Sequence, residues 1–178
     1  MNPSDTASIQ VALTEDSEVY VRVQGKGISD RSPRFKSLVL GYLDQGMRKI
    51  NVVLSDCPLM DSTFIGVLAG IGSTMRNHGE GNTGPARLRL LNSNDRVRRS
   101  IENLGVDEFF EYVDAEEPEL DYTEYVGGTD CYGKQAVGQT ALQAHEDLCR
   151  FQPGNQRAFK DVIEFIRLDL ERDDQDDT

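Results

Sequence analysis

The chain has 178 residues, of which 38% are hydrophobic and 28% are charged, and its net charge is -12. This length predicts one principal domain, and without a run of roughly 18 apolar residues we expect no membrane span. The negative charge argues against nucleic acid as a partner, because neutralising phosphates requires a basic surface. The polar start "MNPSDTASIQ" lacks the pattern of a secretory signal, which predicts a cytoplasmic protein.

The acidic residues are concentrated in the last part of the chain. Residues 1–105 carry 13 Lys+Arg and 11 Asp+Glu, whereas residues 106–178 carry 6 and 20. The first part also contains a basic cluster, Arg96, Arg98 and Arg99. This cluster is typical of the solvated face of a helix, and contact with an anion or an acidic partner stays open as the alternative.

The first predicted elements are a hairpin, a helix and a buried strand. Apolar residues alternate with polar ones in "IQVAL" and "VYVRV", and "TEDSE" between them has turn composition. A helix follows from Pro33 to Gly46, since proline suits a first helical turn and glycine marks a helix end. The nearly continuous apolar run "KINVVLSD" predicts a central strand covered on both faces.

The next helix is predicted from Ser62 to about Asn77 by apolar residues at helical spacing, and Asp61 or Ser62 is expected to cap its start. It contains Gly66 and Gly70, four positions apart. Because a glycine inside a helix costs about 1 kcal/mol relative to alanine, we expect these two to permit close packing of the helix against the sheet. A phosphate loop at "GIGST" is disfavoured, because the lysine of that motif is missing.

The elements after this helix complete an α/β pattern. "HGEGNTGP" predicts a loop, "ARLRLLN" a strand, "SNDRVRRSIENLG" a helix and "DEFFEYV" a short strand. The order is ββαβαβαβ, which predicts a mixed sheet of four to five strands packed with helices.

Residues 115–178 form a separate part of the prediction. Residues 115–134 are acidic with little periodicity and indicate a linker, residues 135–172 indicate a helical hairpin, and residues 173–178 indicate an acidic tail. Such a hairpin must bury its apolar stripe on the core of its own chain, on a second copy in a homodimer, or on a partner.

Enzymatic function is disfavoured by the placement of the histidines. Ser62 would need a base within hydrogen-bond reach to act as a nucleophile, yet His78 falls in a Gly-rich segment and His145 in a predicted helix, where we expect a solvent-facing imidazole. Cys131, His145 and Cys149 lack the spacing of a zinc site. We therefore predict no catalytic residue, no metal and no cofactor. A hydrolase remains as the rival, which would need ester turnover that depends on Ser62.

Three segments follow one another along the chain: the turn "CPLMDSTFIGVL" between a central strand and a helix, the strand "RLRLLN", and "VRRSIENLGVDEFFEYVD". In this order they resemble the STAS family, in particular its anti-sigma factor antagonists. The family hallmark is an Asp-Ser-Ser/Thr-Gly-Leu-Gly turn at a helix start. The resemblance covers residues 8–114 and implies a STAS-like domain over residues 1–114.

The resemblance implies a role for five residues of the turn. Asp61 matches the acid of the family, Ser62 the serine that a partner kinase phosphorylates, Thr63 the next hydroxyl and second choice for phosphorylation, and Gly66 the later glycine. Phe64 stands where the family usually has glycine. All five are expected to bind the partner, and Phe64 would alter partner choice, restrict the kinase, or mark a site that is no longer phosphorylated.

The implied function is partner switching. An unmodified antagonist binds an anti-sigma factor serine kinase and frees the sigma factor; a phosphate on Ser62, which adds about -1.5 to -2 charges, breaks the complex. A protein phosphatase would reset the serine. The alternative is a STAS module that is not phosphorylated and serves as a scaffold or ligand sensor in a larger signalling assembly.

Overall fold

The computed structural model describes residues 7–77, 88–125 and 132–176, with side chains described up to residue 173. The predicted loop over residues 78–85, with His78, and the prediction for Cys131 lie outside these residues. The strands are β1 Ile9–Leu13, β2 Glu18–Val23, β3 Lys49–Val53, β4 Leu88–Leu91, β5 Phe110–Val113 and β6 Thr123–Glu124. The helices are α1 Ser32–Asp44, α2 Ser62–Asn77, α3 Asp95–Asn103, α4 Lys134–Phe151 and α5 Gln156–Asp176.

The elements up to β5 follow the predicted ββαβαβαβ order, and the α/β fold class is confirmed. The strands lie in the order β5-β4-β3-β2-β1-β6. β1 and β2 form an antiparallel hairpin, whereas β2, β3, β4 and β5 pair in parallel. The central position of β3 is also confirmed, because Ile50, Val52 and Val53 are fully buried.

The sheet has six strands where four to five were predicted, and the additional strand β6 comes from the segment interpreted as a linker. β6 pairs antiparallel with β1, and the Tyr125 N–H donates to the carbonyl of Ile9 at 2.8 Å. The same segment is held by an ion pair between Glu117 and Arg22, whose guanidinium lies 3.8 Å above the ring of Tyr122. The acidic segment thus covers the backbone groups that β1 would expose at the sheet edge.

The predicted helical hairpin corresponds to α4 and α5, joined by a short 3-10 turn, Pro153–Asn155. α4 packs against α2 and α1, while α5 packs mainly against α4. Ala144 and Leu148 of α4 belong to the main hydrophobic core. α4 is thus buried on the core of the same chain, which is one of the three ways to cover the hairpin. α5 continues to Asp176, so the first residues of the predicted tail are helical.

None of the helices in the described part of the chain is both long and apolar enough to cross a membrane. Within the same residues, no group of three or more His, Cys, Asp or Glu side chains is placed to hold a metal ion.

Candidate functional site around Ser62

The start of α2 is capped by Asp61, the residue directly before the helix. Its Oδ1 accepts a hydrogen bond from the Phe64 N–H at 2.8 Å, and its Oδ2 accepts one from the Ser29 N–H at 2.7 Å. The Asp61 N–H donates to the carbonyl of Gly27 at 2.9 Å. This is an N-cap interaction, and it also ties the turn to the segment before α1. Since Asp61 caps the helix, the Ser62 hydroxyl is available for another contact.

That contact is with a histidine of α4. Ser62 Oγ lies 3.0 Å from Nε2 of His145, and Nδ1 of the same ring lies 2.8 Å from the carbonyl oxygen of Ala141. A carbonyl can only accept, so Nδ1–H donates to it, and in a neutral imidazole Nε2 is left to accept the Ser62 hydroxyl proton. The fold therefore joins two side chains that are 83 positions apart in the sequence.

The prediction of a solvent-facing His145 is wrong. The residue is 4% exposed, and its ring packs on that of Phe159 from α5 at a centroid distance of 4.8 Å. The sequence did contain a signal for this burial. His145 lies at helical spacing with Ala141 and Leu148, both of which are buried, so it belongs to the inner face of α4.

The two glycines of α2 face α4, and the prediction that they pack against the sheet is wrong. A Cβ on Gly66 would lie only 2.7 Å from the carbonyl oxygen of Ala144, and one on Gly70 would lie 3.0 Å from a carboxylate oxygen of Asp147. Gly66 leaves no room for any side chain at this contact. The glycines therefore permit a close approach, as predicted, but the element that approaches them is α4 and not the sheet.

Phe64, which was expected to bind the partner as part of the turn, is a core residue in the structure. It is fully buried, and its ring lies 5.0 Å from that of Phe35 in α1. A Cβ on Gly27 would come within 3.0 Å of the Phe64 ring, so the backbone before α1 fits closely over it. The side chain fills the core beneath the turn, and a partner could not contact it in this fold.

The hydroxyls of the turn differ in exposure. Thr63 is only 5% exposed, whereas Ser62 is partly exposed. Ser62 is therefore the more accessible of the two, but the side of it that faces α4 is closed by His145.

One carboxylate near this contact has an altered acidity. Burial raises the pKa of Asp147 above its ordinary value, against the opposing effects of a hydrogen bond from Gln143 and the positive charges of Arg150 and Lys36. The Arg150 guanidinium lies 2.9 Å from its carboxylate. The α2–α4 contact thus contains a charge that the fold partly removes from water.

Ser62 and His145 have the spacing of a nucleophile and its base. No motif in the sequence had indicated a base for Ser62. In a catalytic triad a third group, commonly a carboxylate, orients the histidine. Here Nδ1 meets a backbone carbonyl, and the neighbouring Asp61 is engaged as the helix cap. The arrangement fixes one tautomer of His145 and supplies a hydrogen bond across two helices.

Arg98 and Arg99 of the basic cluster on α3 are engaged in local contacts. Arg98 pairs with Asp114, and its guanidinium lies 5.1 Å from the ring centroid of Tyr112. Burial raises the pKa of Tyr112 to about 12. Arg99 donates to the carbonyl of Asp95 in the same helix. These contacts support the interpretation of this cluster as a helix face.

The comparison with protein families decides the classification. The STAS domain model matches residues 9–119. The chain belongs to the STAS domain family. The STAS fold predicted from the sequence is therefore confirmed, and the matched residues include the Ser62 turn and end before α4.

Solved structures agree with this fold. A candidate anti-sigma factor antagonist from Thermotoga maritima has a TM-score of 0.51 at 21% identity, covering 64% of this chain and 89% of that chain. The Bacillus cell fate determinant SpoIIAA in its phosphorylated form has a TM-score of 0.50 at 19% identity, covering 62% of this chain and 93% of that chain. At these identities the likeness shows the fold alone. A search of curated proteins found no match to this chain.

Proposed function

We propose that this STAS protein is a cytoplasmic anti-sigma factor antagonist whose complex with its partner is controlled by phosphorylation of Ser62. The observation that carries the proposal is the division of roles between two neighbouring residues. Asp61 caps α2, so the partly exposed hydroxyl of Ser62 can be modified without removing the cap. The STAS classification and the antagonist neighbours support the same function.

The physical effect of a phosphate at this position follows from charge. The phosphate would add about -1.5 to -2 charges at neutral pH. The N-terminus of α2 tolerates negative charge because its free N–H groups carry partial positive charge. A partner surface pressed against Asp61 and phosphorylated Ser62 would instead meet two adjacent anionic groups. The fold is thus expected to survive modification, while the complex dissociates.

The proposed partners follow from this switch. An anti-sigma factor with serine kinase activity binds the unmodified turn and uses its own ATP to phosphorylate Ser62, and a protein phosphatase restores the hydroxyl. In this scheme the antagonist has no catalytic residue and needs no cofactor. Thr63 is the second choice for the phosphate, disfavoured by its burial.

A capture experiment tests the switch. Wild type, Ser62→Ala and Ser62→Asp are used as bait in lysate of the native organism, and bound proteins are identified by mass spectrometry. Wild type and Ser62→Ala should retain a kinase-like anti-sigma partner that Ser62→Asp loses. Ser37→Asp is the matched control, because it adds the same charge at an exposed serine of α1 and should keep the partner.

Two outcomes would contradict the proposal. If all four baits retain the same proteins, the turn does not switch, and the scaffold or ligand-sensing alternative takes its place. If phosphate mapping after incubation with the captured kinase finds neither Ser62 nor Thr63 modified, Ser62 is only the first residue of a capped helix. Ester turnover abolished by Ser62→Ala would favour the hydrolase.

A further inference from the structure

The surface of α2 next to Ser62 is covered by another helix of the same chain. Ser62, Gly66 and Gly70 are four positions apart, so they share one face of α2. That face meets α4 at each of the three positions: Ser62 contacts His145, Gly66 contacts Ala144, and Gly70 lies under the carboxylate of Asp147. We call this glycine-lined face of α2 the Ser62 groove.

The groove selects its occupant by shape and by hydrogen bonding. Because Gly66 has no side chain, only a helix with a small residue at the crossing point fits, and α4 supplies Ala144 there. The next residue of α4, His145, places a hydrogen-bond acceptor opposite the Ser62 hydroxyl. A helix that carries a small residue followed by histidine is therefore the complementary ligand of this surface.

The contact differs in composition from the core on the other side of α2. There Phe64 and Leu68 are fully buried among apolar side chains. In the groove the atoms nearest to Ser62 and the two glycines include a backbone carbonyl, an imidazole and a carboxylate, beside the Cβ of Ala144. Polar groups at a helix–helix contact can exchange their partners for water when the helices separate, so this part of the contact costs less to open than the apolar part that Leu148 forms.

We propose that α4 is a displaceable ligand of the Ser62 groove, and that the antagonist cannot bind its partner while α4 occupies this groove. This inference rests on the proposed function for the identity of the competing partner. A protein that docks on the turn and on Gly66 needs the surface that α4 covers. A kinase must likewise reach Ser62 Oγ, which is hydrogen-bonded to His145. Opening of α4 therefore precedes both docking and phosphorylation.

The closed state lowers the apparent affinity of any competitor. A ligand that binds only the open form has its affinity reduced by the fraction of molecules that are open. The chain itself provides a suitable probe, since a second copy of the hairpin can compete with the attached one. We use a fluorescently labelled synthetic peptide of residues 134–176, which spans α4 and α5, and measure its binding to the full chain by anisotropy.

The decisive variant is Ala144→Leu in the full chain. The larger side chain would collide with α2 at Gly66 and displace the attached α4, while the groove itself is unchanged. The unaltered peptide should bind this variant at least about 10-fold more tightly than it binds wild type. The double variant Gly66→Ala, Ala144→Leu is the matched control, because its groove is filled and should lose this gain.

Equal peptide binding by wild type and Ala144→Leu would overturn the inference, as would equal binding by Ala144→Leu and the double variant. Hydrogen exchange of the β3 amides verifies that the core of each variant is folded. Ala144→Val, which adds less volume, replaces Ala144→Leu if that variant does not fold.

The assay contains no kinase and no sigma factor, so its result is independent of the capture experiment. A groove that binds the peptide while Ser62 is never phosphorylated would refute the proposed function alone.

Discussion

α4 and α5 are neighbours in the sequence and both are amphipathic, but they are buried to different extents. α4 buries Ala141, Ala144, His145 and Leu148 against the rest of the chain. α5 has the larger apolar residues, yet Val162, Phe165 and Leu168 are 38%, 69% and 48% exposed. α4 lies on α2 and α1, whereas α5 lies mainly on α4. The burial of each helix thus depends more on which elements it packs against than on the size of its apolar residues.

The largest expected difference between these helices is the cost of removing a leucine. Leu148→Ala empties a fully buried position of α4 and should lower the free energy of unfolding by about 2–5 kcal/mol. Leu168→Ala, at a half-exposed position of α5, should change it by less than about 1 kcal/mol. Urea unfolding followed by circular dichroism measures both. Equal losses would mean that the two helices contribute equally to the fold.

The second prediction concerns the close approach of α2 and α4. Gly66→Ala would improve the helix propensity of α2, but its methyl group would collide with the Ala144 backbone, so we expect a net loss of about 1–3 kcal/mol. Gly41→Ala in α1 is the control, because a Cβ there meets nothing within 4 Å, and it should gain up to about 1 kcal/mol. A Gly66→Ala variant as stable as wild type would show that α4 moves away at little cost.

The third prediction uses the carboxylate at the α2–α4 contact. Because burial raises the pKa of Asp147 in the folded protein, ionisation of this group is less favourable there than in the unfolded chain. Relative to Asp147→Asn, wild type should therefore lose stability as pH rises from the unfolded pKa through the raised folded pKa. The difference in unfolding free energy should grow as pH rises through the unfolded pKa and then the raised folded pKa of this carboxyl, and become constant above both.

The control for this prediction is Asp16→Asn, which removes an exposed charge from the turn between β1 and β2. This variant measures how much the free energy of unfolding changes when an acidic chain loses one exposed negative charge. A pH-dependent difference of the same size in both variants would refute the role of burial at Asp147.

The smallest expected effect lies on the outer side of the hairpin. Arg167 of α5 pairs with Glu146 of α4, and the two side chains are 56% and 36% exposed. Surface ion pairs contribute about 0–1 kcal/mol and are screened by salt. Arg167→Ala should therefore cost less than about 1 kcal/mol at low salt and almost nothing at high salt. A loss above about 2 kcal/mol would place this pair among the interactions that hold α5.

The core of the fold was predictable because its signals are local. Alternating apolar residues predicted β1 and β2, and a short apolar run between turns predicted the buried β3. Asp61 or Ser62 before an apolar helix predicted a cap, and the structure shows that Asp61 is the cap. Ser62 was identified as a candidate phosphorylation site by its place in the family turn, and that assignment remains a prediction.

The contacts made by the rest of the chain were not predictable in the same way. The acidic segment after β5 has no periodicity, yet two of its residues pair with β1 at the edge of the sheet and form β6. The glycines of α2 signalled a close approach, but not which element approaches. Phe64 departs from the family pattern, and only its packing on Phe35 shows that the departure fills the core.

By itself, the sequence determined the order of the elements, the STAS turn and the capped start of α2, because each depends on residues a few positions apart. Only the tertiary structure decided that His145 meets Ser62 and that α4 covers the groove around it. The physical reason is that helix packing joins distant segments through shape and buried hydrogen bonds, and a pattern within one segment does not show which other segment it meets.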